Sequence, residues 1–272
     1  MTISIDRGLG RDGVGAPVLT SCADGVLTIT LNRPHRRNAL PRSGFDALGA
    51  ALRTAERDPE VRVIVLRGAD GHFCSGADLE SAGGPGHPLD GMRLVNSTAR
   101  TLAEMPKPVI ACVEGYAVGA GCNLALLCDL VIATPTAKFS QIFAKRGVSV
   151  DFGGSWILPR LVGLQQAKRL VMLAETIGAE EARELGLVTW VKEPEEIDTF
   201  LGDLARRLAD GPPVALALSK SLLDRGSGGT LGEALDREAH AFTINFATDA
   251  PNAIRAFVER RPAVFDGHWQ VR

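Results

Sequence analysis

The sequence has no large excess of charge of either sign and no pairing pattern among its few cysteines. Its 30 Lys and Arg residues face 32 Asp and Glu residues, for a formal net charge of −2. It therefore lacks the overall positive field of nonspecific nucleic-acid binders, and no nucleic-acid partner is expected. Five cysteines are an odd set without zinc-type spacing, which argues against both a disulfide framework and a metal site. We expect reduced thiols, no metal and a cytoplasmic location.

The sequence also lacks an apolar run of the roughly 20 residues that a membrane helix needs. Its most apolar stretch is interrupted by Asn123 and Asp129. Residues 1–16 carry charges among glycines instead of an apolar segment, so we expect a disordered tail there and no signal peptide. A soluble protein with no membrane partner is predicted.

Strands and helices alternate over most of the chain. Alternating apolar and polar residues at Val18–Cys22 and Val26–Leu31, on either side of Asp24-Gly25, predict a β-hairpin. Apolar spacing then predicts the helix Arg42–Arg57, the strand Val61–Leu66, the helix Met92–Glu104, the strand Val109–Val113, the helix Cys122–Leu127 and the strands Leu130–Ala133 and Val188–Val191. This order is typical of an α/β fold.

Beyond residue 191 the pattern predicts helices alone, separated by breaks that contain glycine and proline. The expected helices are Glu195–Ala209, Pro213–Asp224, Leu231–Phe246 and Ala250–Glu259. A helical C-terminal third of this kind needs a partner surface on which to bury its apolar residues.

Two loops rich in small residues follow predicted strands. The first spans Gly71–Leu79, and the second spans Glu114–Gly121, directly before a predicted helix. Small residues let backbone N–H groups face a ligand, and two such loops on parallel neighbours can form an oxyanion hole. A packing turn is the alternative for the second loop. A dinucleotide-binding fingerprint is disfavoured, because Leu124 occupies its third glycine position.

Cys74 lies in the first loop and is a candidate nucleophile by position. None of the five histidines lies in a recognisable partner motif, and a catalytic thiolate needs an activating neighbour. We therefore interpret Cys74 as a small buried core residue.

Several sequence blocks occur in a fixed order along the chain. They are Leu31-Asn32-Arg33-Pro34 with Asn38-Ala39-Leu40, Phe73-Cys74-Ser75-Gly76-Ala77-Asp78-Leu79, Gly115-Tyr116-Ala117-Val118-Gly119-Ala120-Gly121-Cys122 and Cys128-Asp129-Leu130. Together they resemble the enoyl-CoA hydratase/isomerase superfamily, also called the crotonase superfamily. The resemblance implies a spiral of ββα repeats over residues 17–210 and a helical region over 211–272 that joins subunits into a homotrimer or a dimer of trimers. It also implies an acyl-CoA thioester substrate, with coenzyme A bound only as part of that substrate and no other cofactor.

Family members hold the thioester carbonyl between two backbone N–H groups, and by the motif match these belong to Ser75 and Ala120. Removal of an α-proton from a thioester builds negative charge on the carbonyl oxygen, which preorganised donors stabilise in the transition state. The match also implies that Ala77, Asp78 and Leu79 contact the substrate, with Asp78 chiefly ordering its own loop.

The phosphates of CoA require local positive charge on a chain whose net charge is −2. A basic cluster beside the first block is a candidate phosphate site and contains Arg33, His35, Arg36 and Arg37. By the family match, Arg260 contacts a phosphate and Phe257 flanks the nucleotide, in the same or a neighbouring subunit. A solvated basic surface is the alternative for each arginine.

The acid/base residues depart from the pattern of the family's hydratases. Those enzymes resemble one another in carrying two glutamates, which activate water and deliver a proton. This chain has Asn123 and Phe143 at those positions, so we expect little hydration. The remaining acid is Asp151, which matches an aspartate of isomerases and dehalogenases in the superfamily. Its setting, ahead of Gly153-Gly154, looks most like the ring-epoxide phenylacetyl-CoA isomerase branch.

Asp151 is thus the predicted sole acid/base of an isomerase that shifts a double bond or rearranges an epoxide or ring. Burial is expected to raise its pKa from the ordinary value of about 3.9. The alternative is that Asp151 only caps the helix that begins near Gly153. Asn123 either orients the acyl group or is an ordinary helix amide, and Phe143 and Trp156 are expected to line the acyl pocket. Two other functions stay open, a hydratase and a non-catalytic acyl-CoA binder.

Overall fold

The structure is a computed structural model that describes residues 15–80 and 87–270. Nearly all of the tail predicted at residues 1–16 lies outside the described residues, as do residues 81–86 and 271–272.

The strands and helices follow one another in an alternating order. The strands are β1 (Val18–Ala23), β2 (Val26–Leu31), β3 (Val63–Gly68), β4 (Val109–Val113), β5 (Tyr116–Val118), β6 (Leu130–Ala133), β7 (Lys138–Ser140), β8 (Thr176–Gly178) and β9 (Trp190–Val191). The helices are α1 (Arg42–Arg57), α2 (Pro88–Ala103), α3 (Ala120–Leu126), α4 (Gly154–Leu173), α5 (Ala179–Glu184), α6 (Pro194–Ala209), α7 (Pro213–Gly226), α8 (Leu231–Phe246) and α9 (Ala250–Val258). Short 3₁₀ helices lie at Pro34–Arg36 and Ile142–Arg146.

The strands form one large and one small sheet. The six-stranded sheet has the order β1-β2-β3-β4-β6-β9, with an antiparallel β1–β2 pair and parallel pairing elsewhere. The small sheet has the order β5-β7-β8. Every position of β4 is buried, as expected for a parallel strand that is covered on both faces. Apolar residues of α1, among them Leu48 and Leu52, pack in the same core.

The chain repeats the order strand, strand, helix. In the units β4–β5–α3 and β6–β7–α4, the first strand belongs to the large sheet and the second to the small sheet. The predicted α/β fold with ββα repeats and a helical C-terminal region is confirmed. One consequence is that the segments after β3, β4 and β6 all emerge at the same edge of the large sheet.

Many of the predicted elements have the expected bounds. The hairpin around Asp24-Gly25 is present, and α1, β4, β6 and α8 begin and end at the predicted residues. The sequence did not predict β5, β7 and β8, because three-residue strands are too short to display alternation. Most of α4 was also missed, since it contains Pro159 and a non-helical Gly163 (φ 71°).

The C-terminal helices α7–α9 bury little within one chain. No residue of α7 is buried, and only Ala241 in α8 and Ala256 in α9 are buried. Large apolar side chains remain exposed on them, including Leu223, Leu231, Phe242, Ile254 and Phe257. Among the described helices, none combines the length and the apolar character needed to cross a bilayer.

Polar contacts tie the C-terminal helices to the large sheet. The Lys220 ammonium of α7 forms an ion pair with Asp129 at 2.8 Å, and the same carboxylate accepts the Val109 N–H at 2.7 Å. The Arg62 guanidinium donates to the main-chain oxygen of Gly211 at 2.8 Å. These contacts join the segments before β4 and β6 to the start of the helical region.

Candidate active site

Two loops lie side by side at the carboxyl edge of the large sheet. The first loop (residues 71–80) follows β3, and the second loop (residues 114–121) contains β5 and the start of α3. The Cys74 N–H donates to Tyr116 O at 2.8 Å, and Cys74 O accepts the Val118 N–H at 2.9 Å. The two predicted glycine-bearing loops are therefore brought together.

Glycine is required where the loops touch. Gly76 has a φ of +99°, and a Cβ atom placed on it would lie 2.8 Å from Val118 O and 3.6 Å from Ala120 N. Gly119, directly before α3, has a φ of +56°. Residues with a Cβ atom rarely adopt such backbone angles. The two glycines thus allow the residue after Gly76 to lie close to the first N–H group of α3.

The prediction that Ser75 supplies an N–H group to a ligand is wrong. The Ser75 N–H donates to Arg37 O at 2.9 Å. Ala77 instead forms a parallel bridge opposite Leu40, and in such a bridge the N–H of Ala77 faces away from its partner strand. Within the described ranges no acceptor faces the Ala77 N–H. The free donor of the first loop is therefore two residues beyond the predicted one.

The free donor of the second loop is the predicted one. Ala120 is the first residue of α3, so its N–H has no intrahelical acceptor. The neighbouring Gly119 N–H donates to Ser140 O at 2.8 Å, whereas the Ala120 N–H meets no acceptor in the described part of the chain. The loops therefore present two unpaired N–H groups, from Ala77 and Ala120, on adjacent backbone segments.

Phe143 lies against the second loop. A Cβ atom placed on Gly119 would lie 3.7 Å from Phe143 Cζ and 3.4 Å from Ile142 Cγ2. The Phe143 side chain is buried, so an apolar wall stands beside the Ala120 N–H. Trp156 was predicted to line the same pocket but is exposed on the first turn of α4. The Cζ atom of Arg160 lies 4.1 Å from the centre of its ring.

Asp151 lies between the 3₁₀ helix and α4. Its Oδ1 atom is buried and has no hydrogen-bond partner in the described structure. Burial raises the pKa of Asp151 to about 6. The capping alternative is wrong, because Gly153 is the N-cap of α4 and no side chain caps that helix.

Asn123 is not placed to contact a substrate, in contrast to the prediction. It is 0% exposed, and both ends of its amide are already paired. Nδ2 donates to the main-chain oxygen of Asp151 at 2.8 Å, and Oδ1 accepts from Gln141 Nε2 at 2.8 Å. Asn123 therefore links α3 to the backbone of Asp151. No sequence pattern indicated a role for Gln141.

Arg33 orders the first loop and is not available to bind a phosphate, which corrects another prediction. Its guanidinium pairs with Asp78 Oδ2 at 2.7 Å, and the two side chains are only 17% and 11% exposed. The hydrogen bond from Arg33 lowers the pKa of Asp78 below its ordinary value. Asp78 also accepts the Glu80 N–H at 3.2 Å and so helps to order the first loop, while its predicted contact with the substrate stays a prediction.

The other predicted cations remain on the surface. Arg36 forms an exposed, bidentate pair with Glu80 at 2.9 and 2.7 Å. Its neighbour Arg37 is exposed, lies 4.9 Å from the centre of the Tyr116 ring and forms no ion pair with the described residues. Leu79, at the end of the first loop, is also exposed.

Phe257 and Arg260 lie apart from the two loops within a single chain. Phe257 is 84% exposed at the end of α9, and Arg260 is exposed just beyond it. No hydrogen bond or ion pair between described residues connects either one with the first or second loop. Their predicted contact with CoA, in the same or a neighbouring subunit, stays a prediction.

Cys74 is a core residue, as its interpretation required. Its side chain is fully buried, and burial raises the pKa of its thiol to about 12. A thiol of this kind is not ionised at neutral pH and cannot serve as a nucleophile.

Comparisons with known proteins agree with this fold. The family model described as enoyl-CoA hydratase/isomerase matches residues 21–268. The chain is 38% identical to 1,2-epoxyphenylacetyl-CoA isomerase of Escherichia coli K12 (92% of this chain, 98% of the relative) and 37% identical to short-chain-enoyl-CoA hydratase of Clostridium acetobutylicum (87% and 92%). A crystal structure of an enoyl-CoA hydratase from Polaromonas sp. JS666 superposes with a TM-score of 0.86 at 33% identity, covering 91% of this chain and 99% of that one. The chain therefore belongs to the enoyl-CoA hydratase/isomerase, or crotonase, superfamily.

Proposed function

We propose that this protein is an acyl-CoA isomerase in which a thioester enolate forms beside a single carboxylate. The observation that carries the proposal is the Asp151 carboxyl group: its Oδ1 atom is buried without a hydrogen-bond partner in the described structure, and burial raises its pKa to about 6. A carboxyl group with these properties is suited to both accepting and returning a proton near neutral pH. Its main-chain oxygen accepts a hydrogen bond from Asn123 of α3, the helix whose first N–H group is that of Ala120.

The first step is removal of a proton from the acyl chain. In the proposed complex the thioester oxygen accepts hydrogen bonds from the N–H groups of Ala77 and Ala120. The Asp151 carboxylate takes a proton from the α-carbon, which is next to the thioester carbonyl. The electron pair moves into an enolate, and the two N–H groups stabilise its oxygen. Loss of one such donor typically lowers the rate by about 10²–10³-fold.

The second step returns the same proton to a different carbon. The Asp151 carboxylic acid protonates the enolate at the far end of the conjugated system, the carbonyl re-forms, and the double bond has moved. With a ring epoxide, the enolate electrons instead break the strained C–O bond as the carbonyl re-forms, and the alkoxide oxygen takes the proton from the Asp151 carboxylic acid. No water is consumed in either case, so one carboxylate is sufficient.

Hydration is the second candidate, because a relative that is 37% identical is named as a hydratase. Addition of water needs one group that activates the water molecule and a second that delivers a proton. Asn123 is fully paired and Phe143 is apolar. Neither can perform acid/base chemistry, and the Phe143 ring restricts the space for water beside the second loop. These contacts favour isomerisation.

A panel of three CoA esters tests the proposal. The purified protein is incubated separately with a 3-enoyl-CoA, a 2-enoyl-CoA and a ring-epoxide CoA ester, and products are identified by mass spectrometry in H₂¹⁸O. Conversion of the first or third substrate without ¹⁸O uptake supports the proposal. A 3-hydroxyacyl product containing ¹⁸O supports the hydratase, and saturable binding without turnover of any ester supports a non-catalytic binder.

The exposed apolar surface of α7–α9 supports an oligomer as part of this proposal. An apolar patch of this extent on an isolated chain marks an association surface, and we expect a homotrimer or a dimer of trimers. Light scattering after size exclusion should give a mass three or six times 28.8 kDa, whereas a monomer mass contradicts this part. All five cysteines are unpaired, which suits a reducing compartment such as the cytoplasm.

A further inference from the structure

The carboxyl group of Asp151 is not held by hydrogen bonds of its own. Its Oδ1 atom is buried without a partner, and no described residue donates a hydrogen bond to the carboxyl group. A general base must nevertheless lie within hydrogen-bond reach of the proton that it removes. The direction of this side chain must therefore be set by its main chain.

The main chain at Asp151 is fixed at one atom, its carbonyl oxygen. This oxygen accepts the Gly154 N–H at 2.9 Å, from the same turn, and Asn123 Nδ2 at 2.8 Å. The next residue, Phe152, has a φ of +49° and is fully buried. A side chain rarely adopts such an angle unless the surroundings impose it. Asn123 supplies the only side-chain hydrogen bond that the described structure gives to this main chain from another element.

Asn123 and Ala120 belong to the same helical turn. Asn123 lies three residues after Ala120, a rise of about 4.5 Å along α3, and its own N–H donates to Gly119 O at 3.1 Å. One rigid turn thus carries both the Ala120 N–H group and the amide that holds Asp151. The separation between the proposed oxyanion donor and the carboxyl group depends on this amide.

Gln141 fixes the orientation of the Asn123 amide. Its Nε2 donates to Asn123 Oδ1, which leaves the Asn123 NH₂ group facing Asp151. Both side chains are buried, at 0% and 2% exposure. The space is also tight, since a Cβ atom placed on Gly154 would lie 2.4 Å from Asn123 Nδ2. The amide therefore has one orientation and no room to shift.

We infer that Asn123 is a positioning residue that aims the Asp151 carboxyl group at a substrate held by the Ala120 N–H, with Gln141 orienting its amide. This inference rests on the proposed function, because it assumes that Asp151 transfers the proton. In this role Asn123 connects α3 to the main chain of Asp151, whereas the sequence predicted a contact with the substrate.

The test measures kcat, KM and the pH profile of kcat for the full-length protein with a 3-enoyl-CoA. Asn123→Ala should lower kcat by about 10–100-fold, the loss expected for a displacement of about 1 Å, while KM changes by less than about twofold. Water reaching the loosened carboxyl group should also move the acid limb of the profile from about pH 6 toward the ordinary value of Asp. A wild-type kcat with an unmoved profile overturns the inference.

A second variant keeps the inference testable if Asn123→Ala does not fold. Gln141→Met keeps the length of the side chain but removes the donor, and should lower kcat by about three- to tenfold with a shift of the profile in the same direction. Because Gln141 acts through Asn123, the double variant should be no slower than Asn123→Ala. An additive loss contradicts this order of action.

Two further variants separate the possible failures. Lys107→Met breaks hydrogen bonds to Ala55 O and Asp58 O at the opposite end of β4 from the second loop, so it should lower the melting temperature without moving kcat or the pH profile. Asp151→Asn reports on the proposed function. If this variant keeps its rate, the proposed function fails. If it is inactive while Asn123→Ala behaves as wild type, only the positioning role fails.

Discussion

Replacement of Gly76 by alanine should separate the two loops of the active site. A Cβ atom at this position would lie 2.8 Å from Val118 O, whereas ordinary contacts begin at 3.4 Å. The loops must therefore move apart by about 0.6 Å, the difference between these distances. Gly76 also has a φ of +99°, which is unfavourable for alanine by about 1–2 kcal/mol.

The expected result is a loss of rate larger than the loss of stability explains. Ala77 directly follows Gly76, and Ala120 N lies 3.6 Å from the added atom. The displacement therefore acts on both unpaired N–H groups. Since a misplacement of about 1 Å can lower a rate by 10²-fold, we expect kcat to fall by about 10–100-fold.

Gly71→Ala provides the matched control in the same loop. Gly71 has a φ of +71°, yet an added Cβ atom would meet nothing within 4 Å. Both variants carry the unfavourable backbone angle, and only Gly76→Ala carries the clash. Steady-state kinetics with a 3-enoyl-CoA and thermal unfolding would be measured for both. A Gly76→Ala enzyme that turns over as fast as Gly71→Ala refutes the assignment of these loops.

Three further predictions concern charge. The raised pKa of Asp151, about 6, implies that kcat falls tenfold per unit below pH 6 as the base is protonated. It also implies that this residue favours the folded state at low pH and that the benefit is lost as the pH rises through 6. Asp151→Asn should therefore be about 1–2 kcal/mol more stable than wild type at pH 8 by chemical denaturation. Equal or lower stability contradicts the conclusion that the Asp151 carboxyl group is desolvated without a hydrogen-bond partner. Lys220→Met removes the cation paired with the partly exposed Asp129 carboxylate and should lower the free energy of unfolding by about 1 kcal/mol; an unchanged free energy of unfolding contradicts the role of this ion pair. Arg37→Glu should raise KM for CoA esters about tenfold but leave KM for acyl-pantetheine unchanged, since only CoA carries nucleotide phosphates. Equal effects on both esters contradict a phosphate contact at Arg37.

Local pattern predicts the framework of this protein well. The bounds of α1 follow from apolar residues at helical spacing, and β4 follows from an unbroken apolar run. The positions of the two glycine-bearing loops follow in turn, because loops after parallel strands emerge at one edge of a sheet. The short strands β5 and β7, which complete the second layer, carry too few residues to be recognised.

The errors at Ser75, Arg33 and Asn123 depend on partners that are distant in sequence. The sequence does not show which backbone segment pairs with Ser75 and which with Ala77. The parallel bridge between Ala77 and Leu40 decides that the N–H group of Ala77 is the free one. Arg33 is a basic residue in the sequence, but Asp78, 45 positions away, neutralises it. Asn123 likewise acquires its task from the backbone of Asp151, 28 positions away.

The role of Asp151 is tested most directly by the Asp151→Asn variant assayed with a 3-enoyl-CoA. The substitution removes the acid/base group but keeps the volume of the side chain. We predict that conversion to the 2-enoyl-CoA falls by about 10³-fold, within the range for loss of a general base, with KM nearly unchanged. A variant that isomerises the substrate at the wild-type rate contradicts the account.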